Sequence, residues 1–337
     1  MKRGHLSTMK SPKKIPLAIA LLAVAVVDCG SANGQGKTAS GQGSVSADTK
    51  KESARMKIQE EIEQLRKGGE FHGDISAFKA SSTEAIDQLG AELRRNPSAK
   101  VREEIVRAMV RLATDSDPDR LMTDRRVLSS LFEEGSILDD CAYMRAMDDV
   151  AEYTPTEVLA PYGDTLARLA GRTPVSGLFL VIAKAKAIQA LPALQARKAD
   201  PAWIKDESFR IALAALGDQD IERSFIDRFH MTQDASEKMD FARSLGRIGT
   251  RSALKALARE MRSPLVFNIP ATFDKSVRPA IAQAIHYSYP RNRLLLIIDS
   301  DSDYEKIEKF CEKEFGTTWN TPRPPYLNIR PLAPPGW

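Results

Sequence analysis

Three stretches of this chain repeat one another, and the repetition constrains its fold more than any other feature. Phe209-Arg210-Ile211-Ala212-Leu213-Ala214-Ala215-Leu216-Gly217 shares its pattern with Phe241-Ala242-Arg243-Ser244-Leu245-Gly246-Arg247-Ile248-Gly249, and both share it with Val277-Arg278-Pro279-Ala280-Ile281-Ala282-Gln283-Ala284-Ile285. The starts at 209, 241 and 277 lie 32 and then 36 residues apart. Each stretch is followed by a short polar link and a second apolar segment, Ile221–His230, Ala253–Arg262 and Leu294–Ile298. A two-helix unit of this length cannot bury its apolar side alone, so successive units must stack.

Helical periodicity extends well beyond the repeats. Ile58, Ile62 and Leu65 fall at i, i+4 and i+7, as one stripe of an α-helix does, and the spacing recurs at Ile86/Leu89/Leu93 and at Val101/Ile105/Ala108 with Met109 and Leu112. Strand-like alternation bounded by hairpin turns is missing. The expectation is an all-α chain. Between residues 115 and 175 the pattern loosens: Asp115-Ser116-Asp117-Pro118 and Thr154-Pro155-Thr156 predict helix breaks, and Pro161 and Pro174 punctuate further. From Asn320 the prolines at 322, 324, 325, 331, 334 and 335 stop any helix. That tail either trails free or lies on the last helices through Tyr326, Leu327, Ile329 and Trp337.

At the repeated residues the chain resembles the HEAT-like repeat family, in which an R-x-x-A-x-x-A-L-G type helix is followed by one carrying A-L-x-x-L. The clearest match is Phe241–Met261, with Ala242, Leu245, Gly246 and Ile248 in the first helix and Ala253, Leu254, Ala256 and Leu257 in the second. The clearest coverage is 175–300, with weaker matches at Ala183–Leu194 and Val101–Ala113. The resemblance implies an α-solenoid, a right-handed superhelix of antiparallel helix pairs. Small residues at the contacts let helices approach to the 8–10 Å of ridge-in-groove packing. In such stacks the second helices line the concave side. The resemblance therefore places the cationic stripe Lys255, Arg259 and Arg262, opposite Leu254, Leu257 and Met261, on a binding surface. A solvated charged face explains the same stripe without any partner.

The N-terminus carries a different signal. Lys2, Arg3, Lys10, Lys13 and Lys14 precede the apolar run Ile15–Val27, a basic region followed by a short hydrophobic one, as in an export signal. Thirteen residues make roughly 20 Å of helix, against a hydrocarbon core of about 30 Å, so a permanent span is disfavoured. Either Met1 or Met9 serves as the start. Cys29, followed by Gly30-Ser31, resembles the acceptor of a lipoprotein signal, with Asp28 departing from the small residue expected before the cut. Acylation at Cys29 and plain cleavage near Ala32 or Gly34 are both open. The expected layout is a signal over 1–29, a Gly/Ser-rich tether over 30–53, a helical-repeat domain over 54–319 and a Pro-rich tail over 320–337. The expected location is the periplasm, free or lipid-anchored to the membrane, or the exterior.

Removing this segment changes the meaning of the charge. The chain has 49 Lys+Arg and 45 Asp+Glu; residues 1–28 hold five cations and one acid, which leaves 44 of each. The sequence pI of 8.8 therefore reflects the export signal and gives no support to a nucleic-acid partner. Three cysteines make no disulfide scaffold. Cys141 and Cys311 either pair or stay as buried thiols.

Several apparent sites dissolve on inspection. Ser31–Thr38 resembles a phosphate-binding loop, but no helical face follows it and no βαβ pattern appears later, so no nucleotide is expected. Asp299–Glu305 resembles a calcium loop, yet Tyr304 stands where an EF-hand requires Gly and Phe310 where it requires Glu. Capping of a helix near Tyr304 accounts for these acids. His5, His72, His230 and His286 show no ligand spacing, so no metal is expected. His286, beside Tyr287, reads as a packing residue. No catalytic residues and no cofactor are assigned. The functional expectation is a non-catalytic scaffold holding a protein or peptide partner; the alternative is an envelope hydrolase or lyase on a helical scaffold.

Overall fold

The apolar stripes of the sequence are the buried faces of helices in the computed structural model, which describes residues 47–67, 82–95, 97–115, 123–132, 141–172, 175–266, 276–288 and 301–324. The export segment, Cys29, the phosphate-loop look-alike and Leu294–Ile298 lie outside them. The described residues belong to one compact unit, 46–337. Among them the regular structure is helical, apart from an isolated bridge between Val266 and Ser276.

Helix α1 (Ala47–Arg66) begins inside the stretch assigned to the tether, and its first described buried side chain is Ile58, followed by Ile62 and Leu65. Helices α2 (Ser82–Arg94) and α3 (Ala99–Asp115) bury Ile86, Leu89 and Leu93, and Val101, Ile105, Met109 and Leu112. Helix α4 (Arg125–Phe132) packs on α2, and α5 (Cys141–Tyr153) on α3. Thr154-Pro155 breaks the chain as expected: Pro155, with no N–H to give, stands before α6 (Thr156–Leu159). A 3-10 turn, Ala160–Tyr162, leads into α7 (Gly163–Ala170).

Helix α8 (Ser176–Ala185) is apolar on nearly every side, and every residue from Gly177 to Ala185 is buried, as such a helix must be. It lies between α5 and α11. The weaker upstream match, Ala183–Leu194, does not form one helix. Lys186 adopts a left-handed backbone (φ 51°) and ends α8, a 3-10 turn follows at Ile188–Ala190, and α9 (Leu191–Gln195) is separate. The Ala-rich spacing continues across this stop, and the one breaker in the stretch, Pro192, stands in the first turn of the next helix; the first helix of this unit is Ser176–Ala185.

The later helices start on side-chain caps. Asp200 opens α10 (Pro201–Ile204), Asp206 α11 (Glu207–Ala215), Asp218 α12 (Gln219–Met231), Asp234 α13 (Ala235–Ile248) and Thr250 α14 (Arg251–Arg259), each accepting a bond from a backbone N–H of the first turn. Each cap is worth about 1 kcal/mol. The glycines that close the two clearest repeats, Gly217 and Gly249, follow α11 and α13 at positive φ (110° and 58°), where other residues are strained. Helix α15 (Arg278–Ser288) lacks such a glycine and runs past the motif; α16 (Asp301–Phe315) carries Asp301 and Asp303 in its first turn.

Most neighbours follow chain order, and α8 also reaches past α11 to α13. Along the row of first helices α3 packs on α5, α5 on α8, α8 on α11, α11 on α13 and α13 on α15; among the second helices α12 packs on α14 and α14 on α16. Phe179, Trp203 and Phe209 join α8, α10 and α11 with ring centroids 5.2–5.6 Å apart. The described start of the tail, with Trp319 just before it, lies on the last helices. Trp319 donates its indole N–H to the Ala258 carbonyl at 3.2 Å, and the buried Arg278 donates to the Pro324 carbonyl at 2.7 Å.

Candidate functional site

Four first helices meet at their C-terminal ends, where carbonyls carry partial negative charge. Tyr287 of α15 donates its hydroxyl to the Ala151 carbonyl of α5 at 2.7 Å, and Ser288 donates to the Gly246 carbonyl of α13 at 2.7 Å. Two lysines at the end of α8 supply the complementary charge. The Lys184 ammonium donates to the Tyr287 carbonyl at 3.0 Å and stands 3.7 Å from that residue's ring centroid; Lys186 donates to the Ile248 carbonyl. This junction brings α15 back against α5, 136 residues apart in sequence at the Tyr287–Ala151 bond.

The first-helix face beside the junction is hollow. A cleft of about 390 Å³ is lined by Glu207, Ser208 and Ile211 of α11 and by Asp240, Arg243, Ser244 and Arg247 of α13. A second, of about 180 Å³, is lined by Glu152 of α5, the same Arg243 and Arg247, and Ala280, Gln283, Ala284 and Tyr287 of α15. The two arginines border both. Close approach of α13 to α15 shapes the floor: a Cβ on Gly246 would stand 2.6 Å from the Ala284 carbonyl oxygen.

The groove mixes charges. Burial pushes the carboxyls of Asp148 and Asp149 above their usual range; Asp148 and Glu152 push Asp149 further in that direction, while Arg247 opposes the shift at Asp148. An acid in the last turn of α5 opposes the helix dipole. Lys184 faces Glu152 electrostatically, but desolvation dominates and lowers the ammonium to about 8. Desolvation and then Lys184 hold the half-buried His286 imidazole below its ordinary value. On the other wall Glu207 accepts a hydrogen bond from Ser244. Arg243 reaches Asp240 of its own helix at 3.4 Å, a surface contact.

A larger concavity of about 660 Å³ lies between α1 and α2, yet both of its arginines are already held by its own carboxylates. Glu92 there takes a two-pronged contact from Arg66 at 2.6 and 2.9 Å and a third bond from Arg95 at 3.0 Å. Size alone therefore does not single it out.

The residues proposed from sequence are dispersed. Lys255 and Arg259 are exposed on α14 and line neither cleft on the first-helix face. Arg262 is committed within the fold: it grips Glu308 at 2.9 and 3.1 Å and stacks 4.9 Å from the Trp319 ring centroid. Cys29 lies outside the described residues. Cys311 is a buried free thiol, pushed up to about 12 by burial. His230 stands 3.0 Å from Glu260, which also pairs with the buried Lys238 at 3.1 Å. No group of acids, histidines and cysteines among the described residues is placed to hold a metal.

Arg243 and Arg247 carry the groove and were not singled out from sequence. A signal was present in the aligned repeats: Ile211, Arg243 and Pro279 share one position, and Ala215, Arg247 and Gln283 another. A charge replaces a packing residue twice, one turn apart. No family model matches this chain, and neither a curated protein nor a solved structure shows significant similarity to it.

Proposed function

We propose that this chain is a non-catalytic interaction scaffold of the cell envelope, which holds a protein or peptide partner on an exposed face of an α-solenoid, along the row of first helices rather than on the second helices that the resemblance placed on the concave side. In this reading the helix pairs wind as a right-handed, HEAT-like superhelix, and the chain is exported, with Cys29 as the lipid anchor. The observation that carries the proposal is the unbroken order of first-helix contacts from α3 to α15, with the groove of Arg243 and Arg247 along it. Stacks of this kind present extended surfaces rather than deep pockets. Lys255 and Arg259 form an additional exposed cationic patch. The export signal rests on the N-terminal sequence; no helix among the described residues is long and apolar enough to cross a membrane.

The test is crosslinked affinity capture from cells expressing the full chain. A discrete protein partner is expected with the wild type. Capture should be lost with Gln283→Trp, which fills the groove from an exposed position, and reduced with the Lys255→Ala/Arg259→Ala pair. Capture indifferent to both variants contradicts the reading. Mass spectrometry of the mature N-terminus decides the anchor: an acylated Cys29 is expected, and a free terminus further on removes it.

A further inference from the structure

The groove beside α13 makes a choice among ligands through its charges. Arg243 and Arg247 lie at i and i+4 on one helix face, where like charges cost a few tenths of a kcal/mol, so the pair does not serve helix stability. Arg247 is half-buried and feels Asp148 through space, but among the described residues no carboxylate accepts a hydrogen bond from it. Among the described residues the acid paired with Arg243 is exposed Asp240 at 3.4 Å, a contact that water or a ligand displaces at little cost. Planar guanidinium groups in this setting match a carboxylate with two parallel N–H bonds.

The surroundings exclude a polyanion. The lining holds two cations, Arg243 and Arg247, against three acids, Glu152, Glu207 and Asp240. A phosphate chain or nucleic acid extends its charge past the two arginines onto Glu152, Glu207 and Asp240, whereas a single carboxylate places its one charge on the arginines alone. Glu152, exposed on the opposite side, faces any cation carried next to that carboxylate. Small residues, Ala280 and Ala284, line the smaller cleft beside Gln283 and leave room at its wall. The two clefts, about 390 and 180 Å³, open onto the same two arginines, one toward α11 and the other toward α15.

We infer that the groove binds an extended polypeptide segment carrying an Asp or Glu beside a Lys or Arg, with Arg243 and Arg247 clamping the carboxylate and Glu152 receiving the neighbouring cation. The inference rests on the scaffold reading and narrows its partner to a mixed-charge peptide. A phage library of random dodecapeptides, selected against the full mature chain, tests it, followed by titration of the winning synthetic peptides.

Enrichment of acid–base neighbours among the winners is expected. Affinity should fall at least tenfold for Arg243→Gln/Arg247→Gln and by a similar factor when the peptide's Asp becomes Asn, a change that leaves the protein untouched. Inorganic phosphate should compete poorly. Winners without acids, winners held equally well by the double variant, or phosphate competing as well as peptide overturn the inference and leave the scaffold standing. A library that yields no binder at all removes the scaffold reading too.

Discussion

The two ends of the helical row use the same ionic device in different surroundings. Near the start, Glu92 is gripped by Arg66 and Arg95, whose side chains are 40 % and 65 % exposed; near the end, Glu308 is gripped by Arg262 and Arg323 at 18 % and 27 %. The helix contacts differ in the same direction. Helices α1–α3 bury large aliphatic side chains, whereas α8 meets α5 across Gly177 and α13 meets α15 across Gly246, with backbone close to backbone. Large side chains tolerate adjustment, and close backbone contact does not. The α13–α15 contact, which borders the groove, is therefore the less adjustable one.

Substituting one glycine in each part gives the largest contrast. Gly246→Ala puts a Cβ 2.6 Å from a backbone oxygen of α15, and overpacking of this kind costs about 1–3 kcal/mol even after the helix-propensity gain. Gly90→Ala meets only the Ser130 hydroxyl, at 2.9 Å, which can rotate away; stability there should hold or rise by up to about 1 kcal/mol. Urea denaturation of both variants measures the difference, and equal losses would erase the distinction between the two parts.

Next in size is the pair of carboxylates. Breaking a buried ion pair costs 3–5 kcal/mol; discounted for the water that still reaches Arg323, Glu308→Gln should cost about 2–3 kcal/mol. Glu92→Gln should cost clearly less. Burial alone would raise the Glu308 carboxyl, but hydrogen bonds from Arg262 and Arg323 outweigh it and hold the group below the usual carboxylate range. A depressed folded value means that the stabilisation is present above the unfolded value and is lost as pH falls through the folded one. Trp319, beside Arg262, should report the release of the tail below about pH 4. Glu308→Gln should remove that acid-dependent step, and an unchanged step would assign it to another group.

The smallest effect sharpens the junction. Lys186 pays for a left-handed backbone, about 1–2 kcal/mol, and recovers part of it through its bond to the Ile248 carbonyl. Lys186→Gly gives up both and should shift stability by less than about 1 kcal/mol. Lys186→Met keeps the strain, loses the bond, and should cost about 1 kcal/mol. Thermal melts of the two variants in the reverse order would place the strain elsewhere.

The helical nature of the chain was legible because periodicity is local: Ile58/Ile62/Leu65 and the 209 and 241 repeats are buried as their spacing requires. The stop at Lys186 was not, because a left-handed lysine carries no mark in sequence and depends on a partner 62 residues away. The groove was legible only in part. Its arginines stand out once repeats are aligned, but the return of α15 to α5 depends on Tyr287 meeting Ala151, a pairing that no spacing encodes. Arg262 shows the converse: its helical stripe suggested an open surface, while Glu308 and Trp319, distant in sequence, enclose it.

Crosslinking across the groove tests the central arrangement most directly. In a chain whose own cysteines are replaced by serine, Glu152→Cys and Gln283→Cys stand on opposite walls of the smaller cleft. A short bis-maleimide should join them within one folded monomer, and prior addition of a selected peptide should slow the reaction. Failure to join them while each cysteine alone reacts freely would mean that α15 does not return to α5 and that the groove does not exist.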